Sequence, residues 1–144
     1  MQFELNGDGF MSIKKFELML KSNAVGFFDS EEFEQIVEHY LESGKMNMAR
    51  KAAHLGLSQH PSSVTIKLLQ AEILVFDNEF DKAHEILNQL YELQPHNSEI
   101  YIQKANIFSK TDEHEKAVEL LKKALDLTEG QADVYSLIGM EYLF

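Results

Sequence analysis

From Ser30 the apolar residues run Phe33, Ile36, Val37, Tyr40 and Leu41, which is one face of a 3.6-residue helix. Asp29 and Glu32 have the spacing of a capping box, which would satisfy free amides at the helix start. Gly44 ends the helix, because glycine tolerates the left-handed conformation. A second helix runs from Met46 to Gln59 with Ala49, Ala52, Ala53 and Leu57, and His60-Pro61 stops it, since proline disfavours helix in the residue before it. The plan then returns. Helices are predicted over Ser63–Phe76 and Phe80–Leu93, closed by Pro95, and over Ser98–Lys110 and Glu113–Leu127, with Asp112 and Glu115 as a second capping-box candidate. Ala132–Phe144 reads as one more first helix.

The return has a fixed period. Ala49, Ala83 and Ala117 are 34 residues apart, and so are Gly44, Asn78 and Asp112. Pro61 with Pro95, and Phe33 with Tyr101 and Tyr135, keep the same register. Gly, Asn and Asp are the residues enriched at positive φ, so the turn inside each hairpin is expected to repeat its backbone. A period of this size marks a stacked array in which no hairpin buries its apolar side alone. The expected class is all-α: a right-handed superhelical solenoid of antiparallel helix hairpins. Its repeats would span 30–63, 64–97 and 98–131, with 132–144 opening a fourth. Residues 1–29 are out of phase. Ile13, Phe16, Leu18, Met19 and Leu20 suggest one helix, Val25, Phe27 and Phe28 an apolar connection, and the segment as a whole a cap on the first repeat.

This pattern of small and aromatic positions resembles the tetratricopeptide repeat family over about Ser30 to Phe144. Ala71, Ala105 and Gly139 in first helices, and Ala49, Ala83 and Ala117 in second helices, would let helices approach. Tyr40, Leu74, Phe108 and Tyr142 would fill the gaps. The departures are Lys67 for an aromatic, Gln70 and Lys104 for leucine, Val37 for a small residue and Glu129 for the closing proline. The resemblance implies a non-enzymatic protein-interaction scaffold whose first helices line a concave groove. The groove residues it implies are Glu34, Glu38, Leu41 and Glu42 from the first repeat. The second repeat offers Leu68, Glu72, Val75 and Phe76, and the third Ile102, Asn106, Ser109 and Lys110. Lys110 and Asn106 stand nearly alone among acids and hydrophobes, which argues against a carboxylate clamp. The expected ligand is a protein or peptide with apolar and basic side chains.

Composition narrows the partners. The formal net charge is −11, which disfavours a phosphate backbone and an anionic membrane surface. An apolar fraction of 44% fits a folded chain. With no cysteine there is neither a disulfide framework nor Cys-ligated zinc. Met1–Asp8 lacks the basic start and apolar stretch of a secretory signal, so a cytoplasmic location is expected. The apolar end at Leu143-Phe144 suggests a fragment of a longer array or an end covered by a second copy, which makes a homodimer through the C-terminal helix an alternative.

Other chemistry finds little support. Glu4, Asn6 and Asp8, with Gly9 at a sharp turn, resemble half of an EF-hand loop, and a calcium-responsive module is a further alternative. Lys15 stands where the bidentate Glu belongs, however, and Asn-Gly and Asp-Gly suit a plain turn. His39, His54, His60, His84, His96 and His114 never fall three or four apart on a helix, and no HExxH occurs. The acid pairs Glu31-Glu32 and Asp112-Glu113 sit at helix starts, where the helix dipole stabilises them. No phosphate loop or nucleophile elbow is present. No cofactor, metal or catalytic residue is therefore expected.

Overall fold

In the computed structural model residues 7–24, 26–128 and 137–141 are described, and all regular structure among them is helical. The helices are α1 (Gly7–Ser22), α2 (Ser30–Glu42), α3 (Met46–Gln59), α4 (Val64–Phe76), α5 (Phe80–Leu93), α6 (Ser98–Lys110) and α7 (His114–Leu127). Residues 137–141 are helical again. The chain divides into two compact units, Met1–Ile73 and Leu74–Phe144.

The turns inside the hairpins repeat as expected. Gly44, Asn78 and Asp112 have φ of 74°, 60° and 61°. Each turn closes with the same pair of bonds. The amides of Gly44, Asn78 and Asp112 donate to Leu41, Val75 and Ser109 at 3.2, 3.1 and 3.2 Å. Those of Lys45, Glu79 and Glu113 donate to Tyr40, Leu74 and Phe108 at 2.9, 2.9 and 2.8 Å. This is the Schellman pattern, which satisfies the last carbonyls of a helix. The residue after the left-handed one is also the N-cap of the next helix: the carbonyls of Lys45, Glu79 and Glu113 accept from Ala49, Ala83 and Ala117. The turn is made by backbone alone, so Lys and Glu serve equally at that position.

The second capping box fails for this reason. Asp112 holds the left-handed turn, and the N-cap of α7 is Glu113, with no side-chain capping bond. The first box is formed. Asp29 accepts from the Glu32 amide at 2.8 Å, and Glu32 accepts from the Asp29 amide at 3.1 Å.

In the first unit the core is a cluster of rings between α1, α2 and the segment before α2. Phe16 lies 6.3 Å from Phe28 and 6.1 Å from Tyr40, and Phe28 lies 5.4 Å from Phe33, all between ring centroids. Ala49, Ala52, Ala53 and Ile66 complete it. Gly56 is needed here: a Cβ would stand 3.1 Å from the Phe33 ring and 3.3 Å from Ile66. The expectation of a plain turn at residues 6–9 is overturned, because Gly7 onward is helix α1. Burial of Ile13 and Phe16 outweighs the cost of two helical glycines, about 1 kcal/mol each. Position 9 therefore lacks the sharp turn that an EF-hand-like loop requires, and Glu4 and Asn6 lie outside the described residues.

In the second unit α5 packs on α6 and α6 on α7. Ala105, Ala117 and Leu121 are buried together, with Ile102, Phe108, Leu120, Leu125, Leu137 and Ile138 against them. Ala83 is also buried, as is Ala71 in the first unit. Gly139 differs from the small residues it was grouped with: it is exposed, and a Cβ there would meet nothing. Tyr142, Leu143 and Phe144 lie outside the described residues.

Candidate functional site

The first helices carry the residues expected to line a ligand face. In the first unit Glu34, Glu38 and Glu42 recur along α2 and Glu72 comes from α4. Burial, then the charges of Glu38, Glu31 and Asp29, hold the Glu34 carboxyl above the usual carboxylate range, against a hydrogen bond from Thr65 of α4. Glu38 is raised by burial, then by Glu42 and Glu72. Like charges on α2 and α4 are thus close enough to feel one another in a partly dry setting, which disfavours the charged form. Glu42 and Glu72 are exposed, and Leu41 is half-buried. Leu68, expected on this face, is buried and offers a ligand little surface.

In the second unit Phe76 at the end of α4 is 58% exposed. Asn106 and Lys110 are exposed, and Ser109 is half-buried. Ile102 is half-buried against the cluster of Ala105 and Ala117. Val75 is buried, a second departure from the expected face. One reason covers both departures. Helical phase tells which way a position points, and neighbouring elements decide what covers it.

The histidines have separate local partners. His60 Nε2 donates to the Phe28 carbonyl at 2.7 Å, and His84 lies 5.4 Å from the Phe108 ring. Burial, then the charge of Lys104, holds the His84 imidazole below its usual value. His114 Nδ1 is hydrogen-bonded to Glu141, and its Nε2 is 3.7 Å from Asp112. Among the described residues no group of three metal-ligating side chains could hold an ion, and no helix is long and apolar enough to cross a membrane. The acid pairs sit at helix starts. Glu32 caps α2 and also accepts from Ser12 at 2.8 Å, while Glu113 accepts from Lys116 at 2.9 Å.

Sequence reasoning missed the clamp on the segment before α2. Gln59 Nε2 donates to the Gly26 carbonyl at 2.8 Å, and its Oε1 accepts from the Phe28 amide at 3.1 Å. One side-chain amide thereby satisfies a carbonyl and an N–H two residues apart on the same edge of the segment. The only signal was negative: Gln59 and His60 depart from their period mates Leu93 and Gln94.

Comparison with known proteins agrees with the period. Residues 74–140 match the family model described as tetratricopeptide repeat. No curated protein matches by sequence. Among solved structures, a thermophilic TPR protein of Thermus thermophilus has TM-score 0.74 and 21% identity, over 95% of this chain and 74% of that one. MamA has TM-score 0.69 and 18% identity, over 99% and 85%. The first TPR of Spaghetti (RPAP3), bound to the HSP90 peptide SRMEEVD, has TM-score 0.65 and 14% identity, over 79% and 90%. These likenesses show the fold, and the all-α class of helix hairpins expected from the period is theirs.

Proposed function

We propose that this chain, whose residues 74–140 match the tetratricopeptide repeat model, is a non-enzymatic interaction scaffold that takes a peptide or protein segment on its first-helix faces. The observation that carries the reading is the crowding of carboxylates on α2 and α4 of the first unit. Glu34 holds its proton more tightly than usual because of burial and then of Glu38, Glu31 and Asp29, and Glu38 because of burial and then of Glu42 and Glu72. A Lys or Arg delivered by a ligand relieves that repulsion, and on the second unit, taken by itself, exposed Phe76 offers an apolar contact. The preferred ligand is therefore basic and apolar. It is opposite in charge to SRMEEVD, the peptide on the Spaghetti domain, and Asn106 and Lys110 are too few to hold a carboxylate.

The test is selection of short displayed peptides on the intact chain. The reading expects enrichment of Lys or Arg beside apolar residues, and loss of those peptides on a Glu38→Lys, Glu72→Lys variant. Enrichment of acidic peptides on these faces, or binding indifferent to both substitutions and to Phe76→Ser, would sink it.

A further inference from the structure

The first unit has an open cleft of about 380 Å³ between α1 and the segment before α2. Met19, Gly26 and Phe28 lie deepest in it, and Leu18, Ala24 and Phe27 form its apolar sides. Leu18 is 66% exposed and Phe27 75% exposed, an unusual cost for large apolar groups so close together. The cleft is held open by fixed backbone. The Gly26 amide donates to Met19 Sδ at 3.0 Å, and Gln59 and His60 grip Gly26 and Phe28 as described. A cleft of this volume admits one large apolar side chain.

Lysines border the cleft on the α1 side, in a chain whose formal net charge is −11, while Lys15 also lines a neighbouring hollow with Asp29, Glu31 and Glu32. Lys15 lines the cleft, with its ammonium 6.0 Å from the Phe28 ring centre. Lys14 sits over Phe10 at 4.8 Å, and Lys21 is exposed in the last turn of α1. On the same helix Glu17 is turned inward and accepts from the buried Tyr40 hydroxyl at 2.9 Å. The outer face of α1 from Phe10 to Lys21 thus presents only apolar groups and lysines.

We propose that the cleft between α1 and Ala24, Gly26, Phe27 and Phe28 is a docking site for a protein segment that carries one aromatic or leucine anchor flanked by Asp or Glu. The anchor fills the cleft over Met19 and Phe28, and the acidic flanks meet Lys14, Lys15 and Lys21. An anionic lipid surface would meet the same lysines. However, the acid-rich body of the chain repels such a surface, whereas a short segment meets only the α1 lysines. The ligand differs in charge from the one proposed for the first-helix faces, so either reading can fail alone.

The experiment is selection of short displayed peptides on the intact chain, with counter-selection on a Leu18→Asp, Phe27→Asp variant. Both positions are exposed, so the fold survives the change, and circular dichroism verifies this. Peptides lost on the variant should be enriched for Phe, Trp or Leu beside Asp or Glu. A synthetic copy of the commonest one should bind the variant about 30-fold more weakly. Lys14→Glu with Lys15→Glu should weaken it about 3- to 10-fold and flatten its salt dependence. The proposal is overturned if no peptide depends on Leu18 and Phe27, or if the dependent peptides are basic. It is equally overturned if those side chains affect only binding to vesicles of phosphatidylserine, or only self-association.

Discussion

The two units share a backbone plan and differ in how their hairpin ends are finished. In the first, Gln59 and His60 at the end of α3 grip an extended segment, and that segment carries Phe28 into the core. In the second, the same places in the period hold Leu93 with Gln94, and Leu127 with Thr128. Leu93 and Leu127 are exposed. The turns inside the hairpins keep one plan, since their bonds recur at identical offsets in both units. Repetition therefore fixes what the backbone must do, and specialisation is written in side chains at the hairpin ends.

The largest test of that contrast is the first unit's cluster of phenylalanine and tyrosine rings. Phe16→Ala and Phe28→Ala should each cost about 3–5 kcal/mol in urea unfolding. A cost below about 1 kcal/mol would mean that α1 is an appendage rather than part of the unit's core. Next comes the shared spine. Ala49→Leu and Ala117→Leu, one in each unit, should each overpack a helix contact at a cost of about 1–3 kcal/mol. Similar costs are expected because both alanines are fully buried. A clear inequality would show that the common period hides unequal packing.

The clamp comes third. Gln59→Leu leaves the Gly26 carbonyl and the Phe28 amide without the side-chain amide, and should cost about 1–2 kcal/mol. Faster proteolysis within residues 24–28 should accompany it. The reverse exchange in the second unit, Leu93→Gln, should stay within about 0.5 kcal/mol. If the two changes cost the same, the hairpin ends are not specialised. Fourth are the left-handed turn residues. Gly44→Ala should cost about 1 kcal/mol, and Asp112→Gly should gain up to about 1 kcal/mol, because only glycine holds φ near +60° without penalty.

These differences explain what could be read from the chain. The bounds of α3, α5 and α6 and the three positive-φ turns were legible, because each depends on a local rule repeated three times. The start of α1 was not. Asn-Gly-Asp-Gly argues locally for a turn, and packing of Ile13 and Phe16 overrules it. Nor was the burial of Leu68 and Val75, since a helical wheel gives direction and not coverage. The α1 cleft was out of reach for a related reason: Leu18 and Met19 read as part of a helix and Phe27 and Phe28 as an apolar connection, and neither reading tells that Leu18 and Phe27 stay in solvent.

The smallest expected effect separates the units by the direction in which a glutamate is shifted. Glu38 in the first unit is raised by burial and then by Glu42 and Glu72. The folded unit therefore holds this proton more tightly than the unfolded chain does. Its contribution to stability is greatest below the unfolded value and is lost as pH rises through the folded one, in a window just above the usual carboxylate range. At neutral pH the repulsion is fully present, so Glu38→Gln should stabilise the first unit by less than about 0.5 kcal/mol. The gain should vanish in acid, where Glu38 is already protonated. Glu113 in the second unit runs the other way. A hydrogen bond from Lys116 holds its carboxyl below the usual range, so its contribution is present at neutral pH and lost as pH falls through the folded value. Glu113→Gln should therefore weaken the second unit slightly at neutral pH. Urea midpoints of the two variants against pH measure both effects. If Glu38→Gln gains the same amount at every pH, or loses, the carboxylates on α2 and α4 do not repel one another, and the case for a basic ligand on that face loses its physical ground.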